Sequence, residues 1–267
     1  MSQKKQYTEI HPAIAFLISI FVWFAVALIT IAWHLFGLIL ISPVAFLIKD
    51  KTGRLMHGIA RLWARSIIAA AFVWRLKISG RENIHSGERY VIVGNHQSLS
   101  DILVVLAALP VHFKFMAKAE LFRIPFLGWH MTLARYIPLD RGKKESTRNA
   151  VKRSRELIRM GASLLLFPEG TRSMDGKMLP FKSGAFKIAA EEGISVLPVA
   201  IDGTGVAIRK KDWMLRRILE LRIHILPPVK PEGTDAQSIE RIRETTRALI
   251  ELELEKIRAD YSQRSPS

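Results

Sequence analysis

The chain is expected to be an α/β protein, with a mixed, largely parallel sheet flanked by helices and an N-terminal membrane-embedded helical segment ahead of it. Three features of its 267 residues carry that expectation. Between Glu9 and Lys49 there is no Asp, Glu, Lys or Arg, in a run dominated by Phe, Ile, Leu, Val, Ala and Trp. From residue 71 onward, short apolar runs alternate with amphipathic stretches, the texture of strands joined by crossover helices. Beyond Pro227, Pro228 and Pro231 the chain turns polar and charged. Residues 1–70 are therefore the expected membrane anchor, 71–232 the main α/β domain, and 233–267 a charged helix and tail.

Taken in order, residues 13–33 alone are long enough to cross a hydrocarbon core of ~30 Å, which takes about 20 helical residues. Gly37 and Pro43 punctuate the rest of the run, so residues 35–48 are too short for a comfortable second span. Two arrangements stay open: one span followed by an interfacial segment, or a helical hairpin dipping into a single leaflet. The run is too long for a secretion-signal core and has no persuasive small-residue cleavage site. Lys4 and Lys5 before it, and Lys49, Lys51 and Arg54 after it, favour the cytoplasmic side for the domain that follows. Arg54, His57, Arg61 and Arg65 then recur at helical spacing, with Leu55, Met56, Ile59, Leu62, Trp63 and Ile67 on the other faces. This predicts an amphipathic helix at the membrane surface, or else a core-packed helix with a basic outer face.

Strands are expected at 72–80, 89–95, 112–118, 136–141, 162–167, 195–203 and 221–228. Helices are expected at 101–109, with Ser100 as its N-cap, and at 146–160 and 184–192. A charged helix over 235–260 shows no chemistry-bearing pattern.

With 40 Lys and Arg against 24 Asp and Glu, the net charge of +16 predicts anionic partners. Anionic lipid or a phosphorylated small molecule fits better than nucleic acid, because no zinc-finger spacing, RRM signature or continuous basic helix is present. The absence of cysteine removes disulfides, thiol nucleophiles and thiolate metal sites. No HExxH spacing supports a metal, and no Gly-x-Ser-x-Gly elbow supports a serine hydrolase. The Gly170 stretch has the wrong spacing for a phosphate loop, and GTGVAI at Gly203 lacks a third glycine.

The chemistry centres on NHQSLSD, residues 95–101. His96 sits in a turn after a strand, and folding that turn back can bring the Asp101 carboxylate to one ring nitrogen. The other nitrogen is then left to act as a general base near neutral pH. A lone His–Asp pair at this spacing is common, so its context matters. FPEGTRS, residues 167–173, again follows an apolar strand and presents Glu169, Gly170, Thr171 and Arg172 in a turn.

With these blocks the chain resembles the 1-acylglycerol-3-phosphate acyltransferase (PlsC-like) family. Four match in order: NHQSLSD, GWHMTLARYIPLDR ending in Arg141, FPEGTRS with PFKSGAFKIA behind it, and VLPVAIDGT carrying Pro198. The likeness covers roughly residues 77–230. It implies acyl transfer from acyl-CoA or acyl carrier protein to the sn-2 hydroxyl of lysophosphatidic acid, in phospholipid synthesis, with no bound cofactor. His96 would be the base and Asp101 its orienting partner. Arg141 and Arg172 would clamp the acceptor phosphate, with Glu169, Gly170 and Thr171 in the same binding turn. Lys118 and Lys182 are candidate oxyanion or donor contacts, or solvated lysines. Ser98 and Ser100 are expected in turn and capping roles rather than as nucleophiles.

The apolar residues 122–129 pack the core or line an acyl groove, and the cations around Trp213 in 209–217 contact headgroups or solvent. Rival readings are acylation of another lysolipid or aminolipid, CoA-independent transacylation, and lipid binding without catalysis. The expected location is a bacterial-type inner membrane with the domain facing the cytoplasm. Neither the oligomeric state nor the donor carrier is specified by the sequence.

Overall fold

The structure, a computed structural model, describes residues 7–140, 142–173, 176–207 and 213–264. Its centre is an eight-stranded mixed sheet in the order β1-β8-β7-β3-β6-β4-β5, with β2 also paired to β8. The strands are β1 (Tyr7–Glu9), β2 (Trp74–Ser79), β3 (Tyr90–Gly94), β4 (Phe113–Lys118), β5 (Ile137–Leu139), β6 (Ser163–Leu166), β7 (Ser195–Asp202) and β8 (Arg217–Ile225). β3 to β7 run parallel; β8 turns against β7, and β2 lies parallel to β8.

Every residue of β3 is buried, and alternate side chains serve opposite faces. Tyr90 and Ile92 join the core formed with α3 (Arg54–Ala70) and α4 (Ser100–Ala108). Val91 and Val93 join the other core, with α6 (Lys144–Arg159), α7 (Gly184–Glu192) and α9 (Ala236–Arg264). The continuous apolar strand is what burial on both faces demands. Because α4 and α7 leave the sheet on opposite faces, the carboxyl ends of β3 and β6 open a crevice between them.

The expected strands and helices form, with differences that have local causes. β1 is an addition, a three-residue strand antiparallel to the start of β8. α5 (Leu127–Leu133) and the short α8 (Thr204–Ala207) are also additions. Ser100 is not an N-cap: the residue before α4 is Leu99, and Ser100 Oγ donates to Ser98 Oγ at 2.9 Å.

At the N-terminus, α1 (Pro12–Phe36) does not stop at Gly37. A π-helical turn (Gly37–Ile41) carries it into α2 (Ser42–Leu47), one helix of 36 residues. Pro43 has no N–H and would crowd a regular turn; the widened turn before it absorbs the mismatch. Gly37 is small because α3 presses on it: a Cβ there would lie 3.2 Å from Met56 Cε and 3.3 Å from Ile59 Cγ2.

α3 runs back along α1, from Met56 beside Gly37 to Phe72, just past its end, beside Phe21, and is tied to it by Trp63 Nε1 donating to Thr30 Oγ1 at 3.1 Å and Trp33 Nε1 to Ser66 Oγ at 3.0 Å. Its apolar row, including Met56, Ala60, Ala64 and Ile68, is buried, so α3 is a core-packed helix with an outer face carrying Arg54 and Arg65. His57 does not share that outer face. It is buried, with Nδ1 3.0 Å from the Tyr136 hydroxyl and Nε2 3.2 Å from the Val111 carbonyl.

Two further ties hold the anchor to the sheet. Trp23 Nε1 donates to the Trp213 carbonyl at 2.7 Å, and Leu215 N donates to Ser19 Oγ at 2.8 Å. The cation-rich stretch is thus seated on α1 from Trp213 to Leu215, while residues 209–212 lie outside the described ones. The buried Lys114 of β4 donates to the Ala134 carbonyl at 2.6 Å and the Gly53 carbonyl at 3.3 Å, joining the end of α5 to the start of α3.

Candidate active site

The turn after β3 folds tightly enough to bring Asp101 back over His96. One oxygen, Asp101 Oδ2, accepts from three donors: His96 Nδ1 at 2.7 Å, Gln97 N at 2.8 Å and Ser98 N at 2.9 Å. Both side chains are buried, Asp101 completely and His96 at 9% exposure. With the proton assigned to Nδ1 by this contact, Nε2 is the basic nitrogen. Ser98 and Ser100 bond to one another rather than to the imidazole.

The second block arrives from β6. Phe167 stacks on the His96 ring at 4.2 Å between centroids and 12° between planes. Glu169 Oε1 accepts from His96 N at 2.7 Å, and Oε2 accepts from Leu179 N at 2.9 Å. Its carboxylate thus ties the histidine's backbone to the loop behind the FPEGTRS turn. Burial pushes the Glu169 carboxyl above the ordinary range, against the pull of those two N–H groups. Ser173 N closes the arrangement by donating to the His96 carbonyl at 2.9 Å.

Arg172, half-buried, directly precedes that bond, so the turn carrying it is fixed beside His96. Thr171 is exposed. Gly170 has φ +73°, a left-handed conformation that favours glycine, and a Cβ there would fall 2.7 Å from Lys182 Nζ. Lys182 therefore reaches over the turn. Lys118, at the end of β4, is 65% exposed and pairs with Glu120 at 3.0 Å. Arg141 lies outside the described residues. Pro198 sits within β7, paired with Val93 beneath the site rather than in it.

Two contributors carried no sequence signal of their own. Asn95 Nδ2 donates to the Ile201 carbonyl at 2.8 Å, and Asn95 Oδ1 accepts from Ile201 N at 2.8 Å, stapling the ends of β3 and β7. Phe167 was visible only as the first letter of its block. Among the described residues, no cluster of three His, Cys, Asp or Glu could hold a metal ion.

A buried, oriented histidine at the carboxyl end of β3, with a cation-bearing turn beside it, agrees with the class that the comparisons show, an acyltransferase. A family model described as Acyltransferase matches residues 75–202. The chloroplastic 1-acyl-sn-glycerol-3-phosphate acyltransferase LPAT1 of Arabidopsis thaliana is 42% identical over 164 residues, 61% of this chain and 45% of that protein. The 1-acyl-sn-glycerol-3-phosphate acyltransferase of Limnanthes douglasii is 32% identical over 228 residues, 84% of this chain and 76% of that one. The crystal structure of the 1-acyl-sn-glycerophosphate acyltransferase PlsC from Thermotoga maritima superposes with a TM-score of 0.78 at 27% identity, covering 96% of this chain and 98% of that one. The chain spans about half the length of the plastid and algal relatives, which it covers by 45%, 47% and 51%. It belongs to the 1-acyl-sn-glycerol-3-phosphate acyltransferase family.

Proposed function

We propose that this protein transfers a fatty acyl group from a thioester, acyl-CoA or acyl carrier protein, to the sn-2 hydroxyl of lysophosphatidic acid. The observation that carries the reading is the 2.7 Å contact of His96 Nδ1 with the fully buried Asp101, which leaves Nε2 as the base. As the hydroxyl oxygen attacks the thioester carbonyl, His96 Nε2 takes its proton and Asp101 stabilises the imidazolium. Collapse of the tetrahedral intermediate breaks the carbon–sulfur bond, and the departing thiolate takes that proton back. No covalent acyl-enzyme is needed, since the thioester is already activated. Arg172 and Arg141 are assigned to the acceptor phosphate, where a guanidinium offers bidentate, charge-assisted hydrogen bonds. Glu169 is assigned to holding the turn, because both its oxygens are engaged by backbone N–H groups.

The N-terminal helix is proposed to lie in one leaflet rather than cross the bilayer, keeping the catalytic domain on the cytoplasmic side. Residues flanking both of its ends are fixed to the same domain. β1 before it pairs with β8, and α3 after it packs on α4 through Arg65 Nε and the Ala107 carbonyl.

The test is acyl transfer from labelled acyl-CoA and acyl carrier protein by the purified chain. The acceptors offered are lysophosphatidic acid, lysophosphatidylcholine, glycerol 3-phosphate and a lyso-aminolipid. His96-dependent labelling of lysophosphatidic acid alone is expected, and His96→Ala with near wild-type turnover would overturn the base assignment. Arg172→Gln is expected to raise the KM for lysophosphatidic acid about tenfold or more while leaving the donor KM near its original value. Equal effects on both substrates would remove the clamp.

A further inference from the structure

We propose that a groove between α3 and the edge strand β2 binds one anionic phospholipid from the adjoining leaflet. Arg65 and Arg81 hold its headgroup, with Arg61 one turn earlier on α3 adding its charge, and an acyl chain lies on Trp74, Leu76 and Ile78. The groove is open to the surface and has a volume of about 550 Å³. It stands apart from the reaction centre, because α4 starts beside His96 and ends at the groove, nine residues or ~13 Å away.

Among the described residues β2 pairs only with β8, so no strand covers its other side. Alternation along the strand sends Trp74, Leu76 and Ile78 toward α3, where they form an apolar floor with Ile68 and Ala69. Arg75, Lys77 and Ser79 point to the opposite face. Two residues before Trp74, Phe72 is 57% exposed and meets Phe21 of α1 at 6.4 Å between ring centroids. This aromatic contact joins the Trp74 end of the floor to the apolar surface of the N-terminal helix.

The opposite end is cationic and uncompensated. Arg65 Nε donates to the Ala107 carbonyl at 3.1 Å and Arg81 Nη2 to the Ala108 carbonyl at 3.3 Å, which spends one donor of each guanidinium. Among the described residues, the buried Nε of Arg61 has no acceptor. Burial, then the charges of Arg65 and Arg81, push the Arg61 guanidinium below its ordinary value. Among the described residues no carboxylate forms an ion pair with any of the three. Trp74 adds an independent sign: it is 7% exposed, lines the groove, and its Nε1 has no acceptor among the described residues. A phosphate with ester oxygens behind it, on a hydrocarbon chain, supplies acceptors to the cations and the indole and an apolar surface to the floor. A free phosphate would leave the floor empty.

The test reads binding without turnover, so it stands or falls separately from the acyl-transfer reading. The purified full-length chain in detergent is offered phosphatidylglycerol or phosphatidylcholine, and lipid retained per chain is measured by native mass spectrometry. One retained phosphatidylglycerol is expected, and no phosphatidylcholine. Arg61→Gln/Arg65→Gln/Arg81→Gln should lower retention at least about tenfold, given ~1 kcal/mol per cation at an anionic lipid surface. Leu76→Trp, which fills the groove without altering charge, should lower it similarly. Lys144→Gln/Arg148→Gln/Lys152→Gln, the same charge removed from exposed positions of α6, should leave it unchanged. Thermal melts check folding, and Trp74→Phe, which keeps most of the bulk, decides if either groove variant unfolds. Undiminished retention in the folded groove variants, equal loss in the α6 variant, equal retention of phosphatidylcholine, or no retained phosphatidylglycerol would each overturn the proposal.

Discussion

His96 is set by three contacts of different kinds: a carboxylate on one ring nitrogen, an aromatic ring on its face and a carboxylate on its backbone N–H. Asp101→Asn separates charge from geometry, because its amide oxygen can take the place of Oδ2 under the three donors while the negative charge is removed. The imidazolium formed during transfer then lacks its counter-charge, and kcat should fall by about 10²- to 10⁴-fold with little change in KM for either substrate. Steady-state kinetics on the folded variant check this. The contact with Asp101 was legible in the sequence because five residues of one turn suffice to make it. Phe167 and Glu169 were legible only as residues of a block, since their contacts to His96 require β3 and β6 to be neighbours. Lys114 is the other residue whose environment sets a measurable property. Burial brings its ammonium down to about 7, partly offset by Asp50. Between about pH 7 and the ordinary lysine value the unfolded chain binds the extra proton, so stability should rise with pH across that window, by at most ~1.4 kcal/mol per unit. Denaturant midpoints measured from pH 7 to 9 should climb in the wild type, and Lys114→Met should flatten the climb.

At the scale of elements, the site is held by links between strand ends. Asn95 staples β3 to β7, and Glu169 staples the turn after β3 to the loop around Leu179. Glu169→Ala orphans two backbone N–H groups at once. A loss of about 1–3 kcal/mol for each that water fails to reach is expected, together with faster amide exchange at Leu179 and His96. Unchanged exchange at both would mean that the loop is held by other contacts. Elements with strong patterns were legible: β3, β6 and β7 are apolar because two cores need them, and α6 repeats at helical period because one face meets the sheet. β1 was not, since three residues carry no period and their pairing depends on β8 more than two hundred positions later. Nor was the continuity of α1 into α2. Gly37 and Pro43 read as breakers, and a π turn together with the close approach of α3 turned both into parts of one helix.

At the scale of the molecule, the question is how a helix of 36 residues, about 54 Å long, meets a bilayer while attached to the sheet. Along one side, Ala15, Ser19, Val22, His34 and Gly37 are buried against the protein. Leu17, Phe21, Phe24, Ile39 and Phe46 project from the others. Crossing the bilayer would require flanking residues to separate to opposite sides, breaking either the β1–β8 pairing or the Trp33–Ser66 and Trp63–Thr30 bonds. Sinking sideways into one leaflet immerses the exposed rows and breaks none of these contacts. The cysteine-free sequence allows this to be read directly. Thr8→Cys and Lys51→Cys, both exposed and on either side of the helix, should be labelled from the same side of a sealed vesicle by a membrane-impermeant maleimide. Labelling from opposite sides would mean that the helix crosses and that the sheet contacts of one flank are lost in the membrane. Labelling from one side places the His96 crevice on that same side, where a water-soluble thioester can reach a hydroxyl presented at the leaflet surface.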